Sequence, residues 1–244
     1  RICAPAKSPV LTTSAKGEAD LYATDAQLHA DGVSFTANYA GQQQKIRLPI
    51  PGNFTVYNAL TVLGCAVQLG VSLAEAAEAL KTAKGVKGRV EVVPTPGKPY
   101  TVLIDYAHTP DGLENVLSSV KGFCKGRLIA VFGCGGDRDP IKRPIMGKIG
   151  AEIADIAIIT SDNPRTEEPM AIIRDILAGL EEKNNYEVIE NRPKAIHHAM
   201  DIGQKNDIIV LAGKGHETYQ EINGVKYHLD EREIVRDYLE ETRK

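Results

Sequence analysis

Two spacings of apolar residues divide the sequence. Between Val10 and Pro51 they fall in short alternating runs, LTT, LYATDAQL, VSFTANY and QKIRLPI, set apart by Gly17, Asp31-Gly32 and Gly41-Gln42. Alternation broken by turn residues predicts meandering antiparallel strands. After Pro51-Gly52 the spacing changes. Ala59, Leu60, Leu63, Ala66, Val67 and Leu69 recur at steps of three and four, which predicts a helix that Gly70 ends. A second helix follows, with Ser72 as N-cap, Glu75 closing a capping box, and Leu73, Ala76, Ala77 and Leu80 as its buried stripe; it stops before Gly85.

From Arg89 onward, apolar runs alternate with amphipathic stretches. The runs are VEVV (90–93), YTVLIDY (100–106), RLIAVFG (127–133), DIAIITS (155–161), YEVIE (186–190) and DIIVLAG (207–213); helices are expected at about 110–122, 141–154, 169–183 and 193–204. Continuous apolar strands joined by helices imply a parallel sheet covered on both faces. The expected architecture is therefore α/β, a doubly wound Rossmann-like domain over 89–244 preceded by a separate piece over 1–88. Two glycines, a lysine and an arginine, at 85–89, mark the junction. Ligands bind such sheets outside the carboxyl ends of the strands, so chemistry is expected in the loops after 105, 133, 161 and 213.

Composition narrows the class. The 244 residues are 43% hydrophobic and 25% charged, with no apolar run near the roughly 20 residues that cross a bilayer. A folded protein without membrane insertion is expected. Acids outnumber strong bases by 32 to 29, so no basic field argues for nucleic acid. The cysteines at 3, 65, 124 and 134 form no CxxC pair, which indicates neither a zinc site nor a disulfide framework and suits the cytoplasm. Cys65 and Cys124 are expected in the core. The chain opens at Arg1 without a methionine, so residue 1 is expected to be an internal point of a longer protein.

The loops named above hold the unusual residues. Asp105-Tyr106-Ala107-His108-Thr109-Pro110 puts an acid and a histidine at a strand end, suited to a ribose or a metal-bound phosphate, or else simply a helix entry. Gly133-Cys134-Gly135-Gly136-Asp137-Arg138-Asp139 lets backbone approach a ligand, and Arg138, Lys142 and Arg143 bring positive charge to the next helix, as an anion site would. Asp162-Asn163-Pro164-Arg165 sets opposite charges in one turn; a zwitterion fits it, and so does an Asx-turn before a capped helix. Gly213-Lys214-Gly215-His216-Glu217 exposes backbone and adds an acid. No GxxxxGK[ST] phosphate loop occurs in the chain. His197-His198 lies on a predicted helix, where adjacent residues face different ways, so a surface or packing role outweighs metal ligation. His29 and His228 have no clustered partners, and Asp230 to Lys244 reads as a solvated helix face.

In order and spacing, Gly88-Arg-Val-Glu91, Asp105-Tyr-Ala-His-Thr-Pro110, Gly133 to Asp139, Asp162 to Arg165 and Gly213 to Glu217 resemble the Mur ligase family, over nearly the whole chain. The resemblance implies the end of a central ATPase domain over 1–88 and a carboxyl-terminal Rossmann-like domain over 89–244. It implies an ATP-dependent ligase of peptidoglycan precursor synthesis, joining meso-diaminopimelate to UDP-N-acetylmuramoyl-L-alanyl-D-glutamate through an acyl phosphate. ATP and Mg2+ are the implied cofactors, and the phosphate loop and main metal ligands lie upstream in that family. For nucleotide the resemblance implies Asn58, within the segment Gly52 to Asn58 that carries Thr55 where many relatives have asparagine, together with Arg89 and Asp105. For the incoming amino acid it implies Arg138, Asp162, Asn163, Pro164, Arg165, Gly213 and Glu217. His108 is the expected base. No metal-ligating residue is expected here. Two other readings use the same loops: a lysine-adding or folyl-polyglutamate-type relative, and a noncatalytic nucleotide- or amino-acid-binding module. Arg165 argues against lysine, which has no second carboxylate to meet it.

Overall fold

The computed structural model describes residues 8–180 and 183–242. Arg1 and Cys3 lie outside the described residues, as do 181–182 near the end of the expected 169–183 helix, and 243–244. The chain forms two compact units that meet between Gly85 and Val86. In the first, β1 (Thr13–Ser14), β2 (Leu21–His29), β3 (Gly32–Tyr39) and β4 (Gln42–Leu48) form one sheet in sequence order. The meander is antiparallel from β2 to β4, but β1 pairs with β2 in parallel, contrary to expectation. Helix α1 (Phe54–Gln68) starts a turn and a half before the apolar periodicity does. Helix α2 (Leu73–Leu80) carries the expected capping box, Ser72 and Glu75 each receiving the other's backbone N–H. Leu21, Val33, Phe35, Ile46, Val56, Leu60, Leu63 and Leu73 make this unit's core. Cys65 is not part of it: it lies on the exposed side of α1, because Leu63 and Gly64 take the inward positions of that turn.

The second unit begins with β5 (Glu91–Val93), followed by β6 (Thr101–Asp105), α3 (Pro110–Lys121), β7 (Leu128–Phe132), α4 (Lys142–Ile153), β8 (Ile156–Ile159), α5 (Pro169–Leu177), β9 (Tyr186–Val188), α6 (Arg192–Asp201) and β10 (Ile208–Ala212). The sheet order is β5-β6-β10-β7-β8-β9. All pairings are parallel except β5 with β6, which is antiparallel. The short 94–100 connection turns the chain back on itself, whereas a parallel crossover needs a dozen or more residues. Every residue of β7 and β10 is buried, as a central parallel strand requires. Among the described residues no helix is long and apolar enough to cross a membrane.

Two further elements close the unit: the hairpin β11 (Tyr219–Ile222) and β12 (Val225–His228), and helix α7 (Glu231–Glu241). The last is not merely a solvated face, since Val235, Tyr238 and Leu239 enter the core. Its Arg232 reaches back to the start of the unit, donating from Nε to Glu91 Oε1 at 2.9 Å and from Nη1 to Asp230 Oδ1 at 3.1 Å. Burial works to raise the Glu91 carboxyl, but Arg232 and the Gly88 N–H outweigh it and the net shift is downward; Asp230 is lowered by the same balance. A carboxyl held lower in the folded state contributes stability above its unfolded value, 4.5 for Glu91, and loses it as pH falls through the folded value. The urea midpoint should therefore decline below about pH 4.5, and Glu91→Gln should flatten that decline. Equal slopes for both proteins would show that Glu91 is not a source of it.

Candidate functional site

Four strand ends of the second unit supply the site loops. After β7, the chain from Gly133 to Ile141 lies directly on the loop after β8. Gly136 donates its N–H to Asn163 O at 2.9 Å, and a Cβ at Gly136 would stand 2.0 Å from Pro164 O, so only glycine permits this approach. Asp137 N–H donates to Glu167 Oε1 at 2.6 Å, and Thr166 Oγ1 donates to Asp137 Oδ1 at 2.7 Å. Arg143, expected as open positive charge, instead turns inward and is 3% exposed. It forks onto Glu167 at 2.7 and 2.9 Å and reaches Asp175 at 2.8 Å. Those two carboxylates leave it no charge to offer a ligand; the hydrogen bonds it donates to Glu167 raise its pKa. Lys142 donates to His108 O at 2.8 Å.

Arg165 is the pivot of the β8 loop. Its φ is +51°, its N–H donates to Glu221 O, and its carbonyl accepts from Asn223 N–H, so the hairpin β11–β12 clamps its backbone. Nη1 donates to Gly136 O at 2.7 Å, and Nε lies 3.3 Å from Glu221 Oε2. Protein groups thus meet Nη1 and Nε, which restrains the plane of the guanidinium before any ligand arrives. Arg138 is exposed, donating from Nη1 to its neighbour's carbonyl. A Cβ at Gly135 would stand 2.9 Å from Arg165 Nη1 and 3.9 Å from Arg138 Cγ, so both arginines flank one bare stretch of backbone.

Behind Arg165 lies a buried polar group of residues. Asp162 receives the N–H of Asn163 on Oδ1 at 2.7 Å, while its buried Oδ2 accepts no hydrogen bond among the described residues. That oxygen is 3.8 Å from Nη1 of Arg192, too far for a hydrogen bond. Gly213, at φ +115°, makes room for it: a Cβ there would stand 2.7 Å from Oδ2. Arg192, fully buried, donates from Nε to Glu231 Oε1 at 2.8 Å and from Nη2 to Ala212 O at 2.8 Å. Asn163 donates from Nδ2 to Glu217 Oε2 at 2.9 Å. Asp162, Asn163, Pro164, Arg165, Gly213 and Glu217 are brought together, with Arg138 at their edge.

Arg89, Asp105 and His108 gather elsewhere, around Tyr106. The Arg89 guanidinium lies 5.6 Å from the centre of the Tyr106 ring, and the rings of His108 and His216 lie tilted against it at 4.6 Å and 5.0 Å. Asp105 turns inward. Its oxygens accept the N–H groups of Val90 and Ala107, both at 2.8 Å, and burial raises its pKa against those bonds and Arg89. The ring Nδ1 of His108 is 2.8 Å from Tyr106 O. A carbonyl only accepts, so Nδ1 carries the proton and Nε2 of the neutral ring is a base. Asn58 belongs to the first unit, exposed on α1, and Thr55 is buried there with its hydroxyl donating to Pro51 O at 3.1 Å.

Lys214, Arg192, Glu221 and Glu231 also belong to this cluster, a place not expected of any of them from the sequence. Asn223-Gly224 between YQEI and VKYH was the signal for the hairpin that carries Glu221; no sequence signal marks the other three as buried. Nor is His228 alone, since its Nε2 pairs with Glu233 at 2.5 Å. His198 Nε2 lies 2.7 Å from Glu187, and the ring of His197 packs 5.3 Å from that of Tyr238.

The model of the Mur ligase glutamate ligase domain matches residues 88–215, and that of the Mur ligase middle domain matches residues 2–66. The UDP-N-acetylmuramoyl-L-alanyl-D-glutamate--2,6-diaminopimelate ligase of Clostridium tetani is 49% identical over 244 residues, covering 99% of this chain and 50% of its own. The enzyme of the same name from Clostridium botulinum is 48% identical, over 95% of this chain and 48% of its own. A solved structure of a ligase of that name superposes with a TM-score of 0.78 at 37% identity, covering 98% of this chain and 49% of the other. The UDP-N-acetylmuramate-alanine ligase of Thermotoga maritima shares the fold at 20% identity, with a TM-score of 0.66 over 96% of this chain and 48% of its own. The chain spans about half the length of the curated relatives it matches.

Proposed function

The chain belongs to the Mur ligase family, and from that premise we propose that it carries the amino-acid site and part of the nucleotide site of an ATP-dependent ligase. The reaction is amide formation between meso-diaminopimelate and UDP-N-acetylmuramoyl-L-alanyl-D-glutamate, in the cytoplasm, for peptidoglycan precursor synthesis. ATP phosphorylates the D-glutamate carboxylate; the diaminopimelate amine attacks the acyl phosphate and phosphate leaves. The relatives' names supply the substrates, and one observation supports them here: the loop after β8 carries both a restrained guanidinium, Arg165, and a buried Asp162 oxygen that accepts no hydrogen bond among the described residues. An amino acid's carboxylate and ammonium complement that pair.

The work of this chain is positioning and charge neutralisation. Arg165 and Arg138 hold the distal carboxylate of meso-diaminopimelate, and Asp162 and Glu217 hold its ammonium. Asn163, Pro164 and Gly213 shape the turn between them. The nucleophilic amine must arrive neutral, and Nε2 of His108 is the group that takes its proton. Arg89 and Asn58 hold nucleotide; Asp105 contributes by fixing the Val90 and Ala107 backbone on which Arg89 and Tyr106 stand. Mg2+ finds no ligand set here: among the described residues no group of three or more His, Cys, Asp or Glu is arranged to hold a metal ion. No step of this chain's chemistry is routed through it.

Calorimetric titration of meso-diaminopimelate, L-lysine and ATP tests the reading, first on the 244 residues and then on a chain of the relatives' length. Meso-diaminopimelate should bind at least tenfold tighter than L-lysine, and equal affinities would refute the assignment. The 244 residues by themselves, lacking a phosphate loop, should release no phosphate from ATP when both other substrates are present. Release above a protein-free blank would overturn that expectation.

A further inference from the structure

Lys214 follows Gly213 at the end of β10 and is fully buried. Its Nζ donates to Asn163 Oδ1 at 2.9 Å and lies 3.2 Å from Glu217 Oε2. The backbone N–H of Glu221 donates to the same Asn163 oxygen at 2.9 Å, while Asn163 Nδ2 donates to the same Glu217 oxygen. An ammonium has only donors, so it dictates that the amide presents its oxygen inward and its nitrogen toward Glu217. Nothing in the packing of β10 requires a cation there; the five residues before Gly213 are apolar and buried. A well-packed apolar side chain serves stability as well as a buried ion pair does. The charge also lies 5.7 Å from the centre of the Tyr219 ring, but its hydrogen bonds go to Asn163 and Glu217, and its use lies with those two residues. Locally, Asp162, Glu217, Glu221 and Glu231 oppose Arg165, Arg192 and Lys214, one negative charge in excess. Without Lys214 the excess doubles.

We infer that Lys214 is a positioning residue of the amino-acid site: from beneath, it sets the orientation of the Asn163 amide and holds Glu217 in place, and so governs affinity for the amino acid without touching it. This rests on the proposed amino-acid site, but half of its test does not. In the unliganded 244-residue protein, the Asn163 side-chain amide should exchange slowly with water by NMR, and Lys214→Met should speed that exchange at least tenfold. With meso-diaminopimelate, Lys214→Met should raise Kd at least tenfold and leave Kd for ATP within threefold. In an Asn163→Ala background the same change should add less than threefold, because its intermediary is gone. Unchanged exchange, unchanged Kd, or a full tenfold effect in the Asn163→Ala background would each overturn the inference. Should Lys214→Met not fold, the Lys214 ammonium resonance of the wild-type protein decides. It should shift on saturation with meso-diaminopimelate, and a resonance that stays in place refutes the role. Failure of wild-type protein to bind meso-diaminopimelate would count against the proposed function, and the exchange measurement would still decide the role of Lys214.

Discussion

Arg165→Ala should raise the KM for meso-diaminopimelate by one to two decades, in a chain of the relatives' length, while the KM for ATP moves less than threefold. A charged hydrogen bond contributes about 1.5–3 kcal/mol and about 1.4 kcal/mol is a decade, which gives that range. The guanidinium is already oriented by Gly136 O and Glu221, so little ordering is left to oppose binding. L-lysine lacks the distal carboxylate and leaves Arg165 without a ligand partner. Its own KM should barely change, and the preference for meso-diaminopimelate should narrow accordingly. Arg165→Lys should recover little, because a point charge cannot replace a planar fork. An equal rise in KM for ATP, or an untouched preference over lysine, would remove the main physical support for the diaminopimelate assignment.

The largest loss of stability should come from Arg192→Met. Arg192 and Glu231 are both fully buried, and deleting one partner leaves an uncompensated charge together with an unsatisfied Ala212 carbonyl. Such losses run to about 3–5 kcal/mol, a large share of the roughly 5–15 kcal/mol that holds a domain folded. Asp162 should suffer as well, since Arg192 is the cation nearest its unpartnered oxygen. Combining Arg192→Met with Glu231→Leu removes both charges and should recover most of the urea midpoint but not amino-acid binding. If the double variant were as unstable as the single, charge burial would not be the cause.

Much of the second unit could be read from apolar runs, since a central parallel strand buries both faces and its sequence says so, as in IIVLA of β10. Direction is another matter. VEVV is as apolar as its neighbours, and only a short connection distinguishes its antiparallel pairing. The site loops were legible because glycines, an Asp-Asn-Pro turn and clustered charge fall at strand ends. What was not legible is which charges point inward. Arg143, Arg192, Lys214 and Glu231 look in sequence like any solvated side chain, and each is buried against a carboxylate, amide or guanidinium brought from 24 to 51 residues away. Cys65 failed in the other direction, an apolar residue left outside because the α1 stripe had no room for it.

The position of β10 bears on how the protein is made. Strands β6 and β7 never touch as a pair; β10 lies between them, and it is the last parallel strand to be synthesised. While the ribosome makes residues 133 to 207, β6 and β7 each hold out an unpaired edge toward a neighbour that does not yet exist. Open edges are where strands of other chains attach, and long-range pairings close slowly. During that interval α3 can cover a face of β7 but not its open edge. A premature stop before Ile208 would therefore do more than shorten the protein, because it would leave two half-sheets with no strand to join them.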